Sequence, residues 1–242
     1  MRGLAALGAA LILSCALVSQ APAQSAGPVA AFEQEVAAVY AHYRRALFAT
    51  NQKDTGASAQ AIEAFAKGWS AAIGPYREAP PPQYAGDPSW SQTLADVEAV
   101  LAAAKVDLTQ SGPEKAHETL ERIRDLLWDM RARNGIVTFS DRMNAYHEQM
   151  ERVLLGTYEG LSEKGLGDLR DDVAVLSHLA ELLGEHLPAT HVGNGEFAKG
   201  LEAVKASVRS LHDALRKDDL GAIRSLKQAL KKPYSMLFLK FG

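Results

Sequence analysis

The chain reads as an all-α protein made of tandem antiparallel four-helix bundles, about eight helices in all. Three observations predict this class. Nothing in the 242 residues alternates with the two-residue period of a strand, whereas apolar residues recur at helical spacing from residue 29 onward. Breaks rich in Gly, Pro, Asn and Asp divide that pattern into segments of bundle length joined by short connections. Finally, the stretch 90–135 slides onto 197–242 without a gap and keeps its apolar register. Trp90 meets Phe197, Leu94 meets Leu201, Val97 meets Val204, Leu101 meets Val208, Leu108 meets Leu215, Ile123 meets Leu230 and Met130 meets Leu237. AVYAHYRRALF near the start of the first half likewise resembles NAYHEQMERVL in the second. An internal repeat of four helices accounts for both correspondences.

In chain order, Arg2 precedes an unbroken apolar run, and Ala21-Pro22-Ala23 supplies small residues at a cleavage site. Residues 1–23 are therefore expected to be a secretory signal peptide cleaved after Ala23, which makes the mature protein periplasmic. Ile12-Leu13-Ser14-Cys15 loosely resembles a lipobox, so a lipoprotein is the alternative. Residues 24–137 should form the N-terminal bundle and 138–242 the C-terminal one. The expected helices cover 29–50, 57–74, a third from Asp87-Pro88 to about 109, and a fourth opened by a capping box at Ser111-Gly112-Pro113-Glu114. Asn134-Gly135 should close the fourth. A fifth follows over 140–160, and a sixth over 166–187 ended by Pro188. Asn194 should cap a seventh reaching about 216, and Asp218 or Asp219 the last. Pro233 should kink or end that final helix. The loop PYREAPPPQYAGDP at 75–88 is stiff with proline, and Tyr76 and Tyr84 should pin it to the bundle.

Composition excludes several classes of function. Without residues 1–23 the chain has no cysteine, so disulfides, thiolate metal sites, thiol catalysis and covalent haem are not expected. It carries 25 basic and 29 acidic residues beyond Ala23, which is unlike a nucleic-acid binder. No second long apolar segment exists, so the mature chain should not span a membrane. There is also no P-loop, dinucleotide turn, nucleophile elbow or HExxH helix, and a non-catalytic role is expected.

The stretch FAKGLEAVKASVRSLHDALRKDDLGAIRSLKQALKKPYSMLF resembles the end of a cytochrome c′-type four-helix bundle. The resemblance implies a periplasmic bundle. It does not carry the haem, because LKKPY stands where CxxCH would sit. Leu230 and Pro233 replace the cysteines, and Tyr234 replaces the ligating histidine. A non-covalent b-type haem in a cytochrome b562-like bundle would draw on Met143, Met150 and His147. Core packing is the competing reading of the two methionines, which lie seven apart on one face.

The remaining candidates are HETLE at 117–121 and HEQME at 147–151. In the fourth helix His117, Glu121 and Asp125 form a polar stripe beside the apolar stripe Ala116, Leu120, Ile123, Leu127 and Met130. In the fifth, His147 and Glu151 flank Met143, Tyr146, Met150 and Val153. Two such flanks can meet at a helix seam and offer imidazole and carboxylate ligands, a donor set that suits copper, iron or zinc. The alternative is a solvated face of i, i+4 polar pairs. In an antiparallel hairpin turning near Val137, Glu121 faces Glu151, Asp125 faces His147, and His117 falls about 13 Å away along the axis. The expected site is therefore His147, Glu151, Glu121 and Asp125, with His117 at its margin and a copper or iron ion as cofactor. A non-catalytic scaffolding module is the alternative, with a protein partner on the aromatic C-terminal tail YSMLFLKFG or on the Tyr40/Tyr43 helix.

Overall fold

The computed structural model describes residues 28–242; the expected signal peptide, its cleavage after Ala23 and Cys15 lie outside the described residues. Two four-membered rings of helices follow one another. In the first, α1 (Pro28–Asn51), α2 (Thr55–Ile73), α3 (Trp90–Gln110) and α4 (Pro113–Arg133) each pack on the next, and α4 closes back on α1. In the second, α5 (Phe139–Leu155) packs on α6 (Glu163–Leu182), α6 on α7 (Gly195–Arg216), and α7 on a broken last arm, α8 (Leu220–Ala229) and α9 (Lys231–Phe241). That arm returns to α5, while α9 also lies against α1. The rings share one continuous apolar core. No helix among the described residues is long and apolar enough to cross a membrane.

Local chemistry explains most helix ends. Asp54, Asn194 and Asp219 each accept hydrogen bonds from free amides of the first turn that follows them. Thr138 and Asp141 form a reciprocal capping box at α5. The box expected at Ser111 is absent. Gly112 is the N-cap of α4, with a φ of +92° and Pro113 in the first helical position, while Ser111 ends α3. Asp87 starts α3 from two residues upstream, its Oδ1 accepting from the Ser89 amide at 2.9 Å. Two helices are shorter than the periodicity implied. Helix α5 stops at Leu155 rather than near 160, where Gly156 leaves the helical backbone and a short 3-10 turn, Tyr158–Leu161, follows. Helix α6 stops at Leu182, six residues before Pro188, and His186 turns the chain at a φ of +46°.

Pro233 acts upstream of itself. It has no N–H and its ring crowds the carbonyl four residues back, at Ala229, which is the last residue of α8. The helix breaks there, and Pro233 sits in the first turn of α9, where its missing donor costs little. The residues paired by the internal correspondence are buried on both sides: Val97 and Val204, Leu108 and Leu215, Ile123 and Leu230, Met130 and Leu237.

Two further expectations concern aromatic residues. Tyr84 is fully buried against Phe32 and Trp90, and Tyr76 packs edge-on to Phe32, so the proline-rich loop is pinned as expected. The C-terminal tail is occupied by its own fold. Tyr234, Leu237 and Phe238 are buried, and Phe241 packs edge-on against His191 and Phe197. Arg44 of α1 donates to the carbonyls of Leu239 and Gly242, satisfying acceptors at the end of α9 and opposing its dipole.

A buried ionic chain ties the two rings together. Arg131 of α4 bridges Glu33 of α1 at 2.9 Å and Asp141 of α5 at 2.7 Å, and only a few per cent of the Arg131 and Asp141 side chains is exposed. The other carboxylate oxygen of Asp141 accepts from the Thr138 amide and hydroxyl, and Glu33 accepts from Tyr84. Each charge therefore meets an opposite charge or a donor, as burial requires.

Candidate metal centre

Helices α4 and α5 follow one another but are not a close-packed pair; α4 leans on α3 and α1, and α5 on α6. A cleft of about 420 Å³ opens between them. On its far side, a smaller cavity of about 60 Å³ is walled by α9 through Lys231, Tyr234 and Phe238. Glu121, Arg124, His147 and Glu151 line both spaces and so form the partition between them.

Within that partition Glu121, His147 and Glu151 each offer a ligand atom, and all three atoms lie within 4.8 Å of one another. The i, i+4 spacing on α5 sets His147 Nε2 3.5 Å from Glu151 Oε1. Glu121 reaches across from α4. The pairing of Glu121 with Glu151 follows the hairpin arithmetic, although an open cleft replaces the expected tight seam. Asp125 lines the same cleft without joining the cluster. His117 also stands outside the cluster, its Nε2 3.6 Å from Glu121 Oε1.

Hydrogen bonds tie His117 to α1. The Thr50 hydroxyl donates to the carbonyls of Ala46 or Leu47, at 2.9 and 3.0 Å. Its oxygen is then free to accept from His117 Nδ1, 2.8 Å away. Nδ1 then acts as the donor in this contact, and Nε2 lies on the side of Glu121.

Electrostatics divide the groups by charge state. Burial, reinforced by the nearby Arg124, His117 and Lys231, pushes the His147 imidazole down to about 3. Its side chain is only 14% exposed, and its ring leans on Tyr234 at 5.2 Å between centroids. His147 is therefore neutral at any ordinary pH, the form in which imidazole binds metals. Burial lowers His117 as well, against the pull of Glu121. The Glu151 carboxyl is raised by burial and then by the Glu121 charge. Asp125 is also raised, first by burial, with Asp129, Glu121 and Glu148 adding to it. The cluster thus pairs a neutral nitrogen donor with two mutually repelling carboxylates.

Three residues that shape the centre were not among the expected ligands. Arg124, nearly buried, donates to Glu121 Oε1 at 2.7 Å and is the cation now nearest the cluster. Lys231 and Tyr234 arrive from α9, which no local pattern in HETLE or HEQME could reveal. Arg124 did leave a signal: it stands four residues after Leu120 and three before Leu127, in the core-facing register of α4. An arginine there requires an acidic partner nearby. Met143 and Met150 are buried in the core and line neither cavity.

The chain matches no protein-family model, no curated protein and no solved structure.

Proposed function

We propose that this chain is an exported, periplasmic, non-catalytic protein that binds a copper or iron ion at Glu121, His147 and Glu151. The observation that supports the reading is the convergence of a neutral imidazole and two carboxylates from two separate helices within 4.8 Å. A cation placed among them takes up the lone pair of His147 and removes the repulsion between Glu121 and Glu151. Arg124 does part of this work in the metal-free protein, so an entering ion competes with its contact to Glu121. The ≈ 420 Å³ cleft, lined also by Asp125, Asp129 and Glu148, supplies an acidic approach.

Elemental analysis of purified protein, followed by calorimetric titration of the stripped chain with copper and iron salts, tests the reading. One ion per chain is expected, lost in His147→Ala and weakened in Glu121→Gln. A stripped protein whose melting temperature is unmoved by either metal would rule the proposal out.

A further inference from the structure

We infer that the centre takes the oxidised ion of its couple, Cu(II) over Cu(I) or Fe(III) over Fe(II), and that one-electron reduction of the bound ion releases it. The inference rests on the metal-binding reading above and specifies which form of the ion the protein carries.

Two independent features of the site point this way. The first is donor hardness. Glu121, Glu151 and His147 offer two carboxylate oxygens and one imidazole nitrogen. The described residues contain no cysteine, and no methionine lines either space; Met130, Met143 and Met150 on these helices are buried. Thiolate and thioether ligands select Cu(I), whereas imidazole and carboxylate suit the harder oxidised ions. The second feature is charge. The cleft gathers the carboxylates of Glu121, Asp125, Asp129, Glu148 and Glu151 against two cations, Arg124 in the partition and Lys231 behind it. In such a field, the ion with one more positive charge gains more than its reduced partner.

The release step balances simply. One electron from a one-electron reductant converts the bound Cu(II) to Cu(I), or Fe(III) to Fe(II). Only dative bonds from Oε and Nε2 are lost, and no proton or covalent bond changes hands. A reductase or small-molecule reductant is therefore the class of reaction that must follow binding.

The test uses the full mature chain and the ions themselves. Cu(II) affinity is measured against glycine in air, and Cu(I) affinity against bicinchoninate without oxygen; Fe(III) and Fe(II) are compared in the same way against nitrilotriacetate and ferrozine. The oxidised ion should bind at least about ten-fold more tightly, a gap of roughly 1.4 kcal/mol or more. Ascorbate should move protein-bound copper into bicinchoninate. Glu151→Met replaces a hard anionic ligand with a thioether at a half-exposed position, and should shrink or reverse the ratio. Equal or tighter binding of the reduced ion overturns this inference and leaves the metal-binding reading standing, as does a ratio that Glu151→Met leaves unmoved. Binding of neither oxidation state overturns both.

Discussion

Replacing His147 with Gln should remove a defined part of the protein's sensitivity to acid. In an unfolded chain an imidazole titrates near 6.5. In the fold, burial beside Tyr234 and the charges of Arg124 and Lys231 hold His147 down to about 3. The unfolded chain therefore takes up this proton first. The stability that depends on a neutral His147 is complete above about pH 6.5 and drains away as the pH falls toward about 3. Between pH 7.5 and 5.0 the loss is about 2 kcal/mol, and by pH 3 it reaches roughly twice that. The side chain is 14% exposed, so screening by solvent trims this figure only modestly. Urea unfolding of wild type and His147→Gln at the two pH values gives the comparison, and any constant cost of the substitution cancels in the difference of differences. The wild type should lose about 2 kcal/mol more than the variant on acidification. Equal losses would refute the reasoning. Because His147 keeps its lone pair at pH 5, acid release of a metal should follow protonation of Glu151, whose carboxyl is already raised.

Other perturbations test the frame that holds the centre. Arg131→Met strands Asp141 and Glu33 without their shared counter-charge, and should cost about 3–5 kcal/mol in urea unfolding; a loss below roughly 1 kcal/mol would show that the chain of charges does not couple the rings. Gly165→Ala puts a Cβ 1.7 Å from the Tyr158 carbonyl oxygen, so the turn before α6 must move, at about 1–3 kcal/mol. Gly167→Ala in the same helix meets nothing within 4 Å and should be neutral or stabilising by up to about 1 kcal/mol, which makes the pair its own control.

What could be read from the sequence divides along a physical line. Helix order and most starts were legible, because a cap such as Asn194 or Asp219 acts on amides two or three residues away. Ends were less so. Pro188 looked like the stop of α6, yet the helix ends six residues earlier. The cluster was partly legible for the same reason: His147 and Glu151 share a helical turn, and hairpin counting reached Glu121. Asp125 and His117 share a stripe with Glu121, but membership of a stripe does not fix distance to the next helix. The walls supplied by α9 were invisible, because Lys231 and Tyr234 come to His147 only after the chain has traversed the whole second ring.

That last contact bears on the order of assembly. Helix α9 lies on α1 as well as on α7, and the Arg44 bond to Leu239 spans 195 residues. Bringing such distant segments together is entropically the slowest kind of closure. The local contacts of α4 and α5 can form without α9, whereas the pocket behind His147 closes only when α9 docks. Burial of that imidazole is therefore expected to come late, and hydrogen exchange during refolding should protect α9 after α4 and α5. A partly folded chain with loose α8 and α9 would present the same three ligands to water, with His147 titrating near its ordinary value and Glu151 unshielded. On the metal-binding reading proposed above, such an intermediate should load metal weakly and lose it readily.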